Sequence, residues 1–351
     1  THYPLLTGVI GRVMGEGVTL VTSSEATANV TYNELVDRGL LHDPWPAGKG
    51  PQHQFLATGA SDTFPLLARR FLGPGVPSQH RWGNRVKLTV IGATGSMSGP
   101  QSPASSYLVQ ARGVDPLSGV ERTFSLVCDM GPGSFGALWV HVCPCELDAL
   151  ALSHCHADHM GDIISLQVYR KWGPGSCAIR PMSLFGPGET LHRVRQIEGA
   201  PEGESYEGEF AFTQLRLGDT YDVGPMTIQP FRALHPVESF GLRIEGPSEE
   251  DPARRVVLFY TGDTDLCDTI IEGARGADVL LSEVGFTSDE TEPNMHMDGI
   301  RAGTLATRAG VGRMIATHIQ PWTPKTRVAS EIRQTWSGPL EFAASGMQVS
   351  L

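Results

Sequence analysis

The stretch LALSHCHADHMGD, residues 150–162, sets His154, His156, Asp158 and His159 in the pattern H-x-H-x-D-H. Apolar residues lead into it (Leu147, Ala149, Leu150, Ala151, Leu152), and a helix-like pattern leaves it (Ile163, Ile164, Leu166, Val168, Tyr169). That order reads as a buried strand, a tight loop and a helix. In such a loop His154 and His156 lie two apart and face one side. Asp158 and His159 follow the bend and reach a second point. Four nitrogen and oxygen donors in six residues exceed the needs of one tetrahedral zinc with an open position, and suit two adjacent metals. The bland alternative is a histidine-rich surface turn. It weakens because half of the twelve histidines fall into place around this loop.

Further donors stand at the ends of apolar runs. His235 follows Phe231–Leu234, Asp263 follows Phe259-Tyr260-Thr261-Gly262, and His318 follows Met314–Thr317. Asp129 ends the run Phe124–Cys128. Side chains at such places emerge from a sheet edge. Alternation predicts strands at 85–92, 106–109, 124–131, 226–234, 239–245 and 255–261, with a hairpin tip at 248–252. Helices are expected near 266–275, 298–310 and 326–336. Residues 196–209 read as a solvated loop carrying Glu198, Glu202, Glu204, Glu207 and Glu209. The Gly/Ser-rich loop 92–105 either cradles phosphate through backbone N–H groups or is a plain turn. Trp322 and Trp336 either stack a base or pack in the core, the second being the commoner use.

Taken together, Asp129, His154/His156/Asp158/His159, His235, Asp263 and His318 resemble the five motifs of the metallo-β-lactamase superfamily, over residues 85–351. The resemblance implies an α/β fold, the αββα sandwich, with metals at one edge between the sheets. It assigns His154, His156 and His235 to one metal and Asp158, His159 and His318 to the other. Asp263 bridges them, and Asp129 supports the ligands from behind. Zn2+ is the default for such a donor set, and Mn2+ or Fe would be accepted by the same ligands. Ser282-Glu283-Val284-Gly285-Phe286 and Asn294-Met295-His296-Met297-Asp298-Gly299 are similar to the ribonuclease Z branch. Residues 92–108, 235–244 and 317–323 resemble a bacterial group described as atypical class II cyclic-nucleotide phosphodiesterases.

The expected activity is therefore a phosphodiesterase acting on cyclic AMP, with a small phosphodiester as partner. Asp158 is expected to orient the attacking water. His296 is expected to protonate the leaving alkoxide, and Glu283 to hold its ring and raise its pKa. One alternative is a ribonuclease Z-type tRNA 3′-end endonuclease. The short acidic region 186–209, and Gln101-Ser102-Pro103-Ala104-Ser105 in place of a Thr-x-x-Arg-Asn element, count against it. A non-catalytic scaffold is a third possibility. Dimers are common in the family, so a homodimer is possible.

The first residues are of another kind. THYPLL (1–6), VTLVTSSEATANVTYNELVDRGLL (18–41) and HQFLATGASDTFPLLARRFLG (53–73) resemble the C-terminal end of glutamate racemase. That family's catalytic cysteines are missing, and His2 has no thiol to activate. Residues 1–78 are thus expected to be an inactive α/β fragment, either a remnant or part of a longer polypeptide, with strands at 18–21 and 54–59 and helices at 22–40 and 61–71. Residues 79–84 read as a linker.

Residues 1–83 are charge-balanced, so the net charge of −11 lies in the rest. An acidic domain is a poor generic nucleic-acid surface. No apolar run approaches membrane-spanning length. The six cysteines show no secreted-framework spacing, which points to the cytoplasm, and Cys143-Pro144-Cys145 reads as structural or incidental.

Overall fold

Val279, Leu281 and Ile315 enter one buried cluster, and Leu280, Met314 and Ala316 enter another. Residues that alternate between two buried clusters mark strands covered on both faces. This computed structural model describes residues 12–14, 23–40, 86–173, 180–248, 254–290 and 292–351. The chain divides into two compact units, Thr1–Leu56 and Ala57–Leu351. In the first, helix α1 (Ser23–Asp37) ends at Gly39, whose φ of 62° lets the chain turn off the helix. The strands expected at 18–21 and 54–59, the helix at 61–71, the linker and most of the 248–252 tip lie outside the described residues.

Among its described residues the second unit holds two seven-stranded sheets. The first contains β1 (Lys87–Gly92), β2 (Ser106–Val114), β3 (Glu121–Cys128), β4 (Ala149–Ala151), β5 (Met182–Gly186) and β6 (Phe210–Gln214), side by side in chain order. The second contains β7 (Tyr221–Val223), β8 (Met226–Arg232), β9 (Phe240–Pro247), β10 (Arg255–Tyr260), β11 (Val279–Glu283), β12 (Arg313–Thr317) and β13 (Leu340–Phe342). The last strand, β14 (Gln348–Ser350), returns to the first sheet and pairs antiparallel with β1.

Leu88, Val90, Tyr107 and Leu126 from the first sheet share a core with Ile228, Leu242, Leu258 and Leu281 from the second. Each fully buried Leu or Ile there stabilises the fold by about 1.5–3 kcal/mol relative to exposure. The outer face of the first sheet buries Leu138 of α2 (Ser134–Trp139), Met160 of α3 (Ala157–Met160), Ile163 and Leu166 of α4 (Ile163–Trp172), and Val194 of α5 (Thr190–Glu198). The outer face of the second buries Ile270 of α6 (Asp268–Ala274), Leu305 of α7 (Gly299–Ala309) and Val328 of α8 (Lys325–Ile332). The four layers are the expected αββα sandwich. Among the described residues no helix is long and apolar enough to cross a membrane. Cys145 is disulfide-bonded, while Cys128, Cys143, Cys155 and Cys267 are free. Sequence spacing does not reveal that bond, because pairing depends on three-dimensional approach.

Strand direction places the donors. β3 and β4 run parallel in the first sheet, and β10, β11 and β12 run parallel in the second. β8 is antiparallel to β9, which is antiparallel to β10, so β8 points the same way as β10. Asp129, the 153–159 loop, His235, Asp263, Glu283 and His318 follow the C-terminal ends of β3, β4, β8, β10, β11 and β12, or close them. Open α/β sheets gather ligands at that edge.

Candidate metal centre

Two groups of donors meet at this edge. One is His154, His156 and His235, and the other is Asp158, His159, Asp263 and His318; within each, the donor atoms lie within 4.8 Å of one another. His156 Nδ1 stands 3.1 Å from His154 Nε2 and 3.2 Å from His235 Nε2. His159 Nε2 stands 3.2 Å from His318 Nε2, and Asp158 Oδ2 lies 3.3 Å from each of these nitrogens. Asp263 faces both groups: Oδ1 is 3.2 Å from His159 Nε2, and Oδ2 is 3.3 Å from His318 Nε2 and 3.7 Å from His154 Nε2.

The far sides of three of the rings are tied down. His159 Nδ1 donates to Asp129 Oδ2 at 2.7 Å, and His235 Nδ1 donates to the Met295 carbonyl at 2.8 Å. His154 Nδ1 meets Ser153 Oγ at 3.0 Å, and that hydroxyl donates to Asp129 at 2.7 Å. With the proton fixed on Nδ1, each Nε2 presents a lone pair inward. Burial pushes His154, His156 and His235 below the ordinary imidazole range, which keeps them neutral. Burial opposes charge on His159 too, but Asp263, Asp129 and Asp158 outweigh it and hold its pKa well above the usual value.

These contacts fit divalent cations. The lone pair on His159 Nε2 and the Asp263 carboxylate are both acceptors, so a proton or a cation must lie between them. Asp263 Oδ1 is buried and has no hydrogen-bond partner. Nitrogens bound at about 2.0–2.1 Å to one zinc stand roughly 3 Å apart, as these do.

Beside the donors lies His296, buried, with Nδ1 3.1 Å from Glu283 Oε1. Its ring is 5.3 Å from that of His318 and 5.4 Å from that of His235. Glu283 is fully buried and also accepts from Thr264 N and Gly285 N, both at 2.8 Å. Gly285 must lack a side chain, because a Cβ there would meet His296 Cγ at 2.9 Å. Burial disfavours charge on His296, but the Glu283 carboxylate and its hydrogen bond outweigh burial and raise the pKa to about 9.

A family model, the beta-lactamase superfamily domain, matches residues 126–319. The chain belongs to the beta-lactamase superfamily. It is 39% identical over 258 residues to an uncharacterized Mycobacterium tuberculosis protein, covering 73% of this chain and 88% of that one. It is 28% identical over 265 residues to the probable metallo-hydrolase YhfI of Bacillus subtilis, covering 74% of this chain and 98% of YhfI. The crystal structure of YhfI, a metallo-beta-lactamase fold protein, superposes with a TM-score of 0.63 at 25% identity, covering 76% of this chain and all of YhfI. A long-form RNase Z from yeast shares the fold at a TM-score of 0.59 and 16% identity, over 77% of this chain and 42% of its own. The N-terminal region is similar to glutamate racemase of Parafrankia: 58% identical over 77 residues, 22% of this chain and 27% of the racemase. This superfamily member is a metal-dependent hydrolase, and the superfamily implies divalent metal ions.

The structure brings together every candidate named from the sequence: Asp129, His154, His156, Asp158, His159, His235, Asp263, Glu283, His296 and His318. Trp336 packs against the outer core, as expected, whereas Trp322 is 65% exposed. It stands on the loop after His318, whose Pro321 packs against Gly99.

Ser153, Tyr260, Asp265 and Asn294, which work behind the donors, were not foreseen. Asp129 accepts from Ser153 N, Ser153 Oγ, His159 Nδ1 and Tyr260 Oη at 2.6–2.7 Å. Asp265 Oδ2 accepts from Asn294 N at 2.9 Å and Oδ1 from Arg301 Nη1 at 2.9 Å. Asn294, at φ 63°, thereby starts the turn that lays Met295 O on His235 and His296 on Glu283. Replacing Asp129 by asparagine is expected to lower metal affinity about 10- to 100-fold. Competition with a chelator measures this, and an unchanged affinity would mean that the ligand rings hold their orientation without it.

Proposed function

We propose that the chain is a binuclear phosphodiesterase whose substrate is a 3′,5′-cyclic nucleotide, cyclic AMP first. The observation that carries this reading is the His296–Glu283 pair, 3.1 Å apart and against the ligand rings. A carboxylate-backed imidazole beside a metal centre suits a reaction whose leaving group needs a proton.

His154, His156 and His235 would hold one cation and Asp158, His159 and His318 the other, with Asp263 shared; zinc is the first choice, and manganese or iron would fit the same donors. When bound, the two cations supply water ionised near neutral pH and take up charge from the phosphoryl group. Asp158 orients the water oxygen toward phosphorus. As that oxygen bonds phosphorus, the P–O3′ bond breaks. Glu283 holds His296 by Nδ1, so Nε2–H is the proton passed to the departing 3′ oxygen. Solvent then reprotonates His296, and the product is the nucleoside 5′-monophosphate.

The local charge supports a small substrate. Residues 198–209 carry five glutamates and no Lys or Arg, the reverse of what gripping an RNA backbone requires. Trp322, exposed on the loop after His318, offers a face for the base. Zinc-loaded protein given cyclic AMP, bis-p-nitrophenyl phosphate and a precursor tRNA is expected to cleave the first two. Cleavage of the tRNA alone would replace this reading with an endonuclease, and cleavage of none of the three would overturn the phosphodiesterase reading. Base stacking is worth about 1–3 kcal/mol, so Trp322→Ala is expected to raise KM for cyclic AMP roughly tenfold or more and leave bis-p-nitrophenyl phosphate nearly unchanged.

A further inference from the structure

The loop between β1 and β2 carries a strained residue aimed at the metal centre. Met97 N–H donates to the Gly95 carbonyl at 2.8 Å, a three-residue γ-turn centred on Ser96. Ser96 has a φ of 62°. The γ-turn of positive φ is the rare, strained sign, and a non-glycine residue seldom adopts it. Such strain persists only where the surroundings impose it, and it concentrates at functional sites.

The surroundings do impose it here. Gly95 lies so close to His318 that a Cβ would stand 2.4 Å from the His318 carbonyl oxygen and 2.9 Å from Nδ1. Gly95 N donates to Ile319 O at 3.4 Å, and Thr94 bridges Ile319 and Ala104. Ser102 ties the loop's two arms: its Oγ accepts from Ala93 N at 2.9 Å, and its carbonyl accepts from Gly99 N at 2.8 Å and Thr94 Oγ1 at 3.1 Å. The outcome is one directed donor. Ser96 N–H points at His318 Nε2, 3.4 Å away, the ring nitrogen that faces His159, Asp158 and Asp263.

We infer that the backbone N–H of Ser96 is a phosphoryl-oxygen donor of the catalytic site. With a cation held by His318, the Nε2 lone pair that now accepts this hydrogen bond would be engaged. The Ser96 N–H, fixed in place by the loop, would then stand beside the centre without its acceptor. A non-bridging oxygen of a phosphodiester is the acceptor that chemistry brings there, and its charge grows as water adds to phosphorus. A preorganised backbone donor at such a point needs no reorganisation during reaction. This inference rests on the phosphodiesterase reading and assigns the donor that reading lacks.

The test separates the amide from the side chain. An amide-to-ester change at position 96, installed with the α-hydroxy analogue of alanine, is measured against Ser96→Ala, which keeps the N–H. The ester is expected to fall on the order of 10²-fold below that reference in kcat, on cyclic AMP and on bis-p-nitrophenyl phosphate alike, since a non-bridging oxygen is common to both. Equal rates for ester and reference overturn the inference. If the unaltered enzyme cleaves neither substrate, the phosphodiesterase reading itself fails, which is a separate result. A second readout uses no turnover and no variant. The Ser96 amide proton, followed by NMR, is expected to move upfield when zinc is added and downfield again on adding inorganic phosphate, while Gly119 in the β2–β3 turn stays still. A Ser96 amide indifferent to phosphate overturns the assignment.

Discussion

Asp263→Ala is expected to abolish turnover, lowering kcat on bis-p-nitrophenyl phosphate by a factor on the order of 10³ or more, and to reduce bound metal from two ions to at most one. Asp263 is 2% exposed and faces nitrogens from both donor groups, His154 on one side and His159 and His318 on the other. Its unpartnered Oδ1 already marks a charge with an incomplete set of contacts. Two cations a few ångströms apart repel strongly in a buried setting, and a shared carboxylate is what offsets that repulsion. Asparagine at 263 keeps the shape without the charge, so it should fail in the same direction. The metal-free protein gives an independent signal. The charge of Asp263 is the largest single influence that raises the His159 pKa against burial, so the variant should lower it. Metal content after dialysis and turnover measured together decide the matter: two retained ions with activity within tenfold would remove Asp263 from its shared position.

Much of this site is legible in the sequence because each donor closes a run that burial makes recognisable. Ala149–Leu152, Phe231–Leu234 and Met314–Thr317 are largely apolar, and a chemically conspicuous histidine stands within two residues of the end of each. The sandwich is less legible. β4, β7, β13 and β14 have three residues each, too short for any period to register. The return of β14 to β1 is a pairing between residues 87–89 and 348–350. No local pattern announces a contact of that separation. The residues behind the ligands are hidden for another reason. Ser153, Tyr260, Asp265 and Asn294 are ordinary types whose roles exist only through the three-dimensional approach of their partners. Ser96 is hidden more completely, since its contribution is a backbone angle.

The strand directions explain how a half-site in one segment becomes a whole one. The 154–159 loop hangs from the first sheet, and His235, Asp263 and His318 hang from the second. A donor group is complete only when both sheets are packed, because each draws on both: His235 joins His154 and His156, and Asp263 and His318 join Asp158 and His159. Metal affinity and packing of the shared core are therefore coupled, and binding free energy adds to folding free energy.

His296→Ala is expected to divide the substrates by leaving group. On cyclic AMP, whose sugar alkoxide cannot leave unprotonated, kcat should fall by about 10²–10⁴, the usual worth of a positioned general acid. On bis-p-nitrophenyl phosphate the loss should be below roughly tenfold, because nitrophenolate leaves without a proton. The pH profile carries the same argument. An acid works only while protonated, so the activity it supports is present below its pKa and lost as pH rises through it. Without metal, the Glu283 carboxylate outweighs burial and sets the His296 pKa at about 9, against 6.5 for an ordinary histidine. Bound cations near the ring oppose its charge and lower that value, so the alkaline limb of the loaded enzyme should fall below about 9. Glu283→Gln keeps the shape of the pair but removes the largest raising influence. The limb should then move toward 6.5 by about one unit or more. The same change should remove stability that is fully present below about pH 6.5 and fades as pH climbs to about 9, because the raised pKa belongs to the folded state. Equal losses on both substrates, or a limb that stays put in the Glu283 variant, would take the proton transfer away from His296 and leave the pair as a structural tie between β11 and the turn before α7.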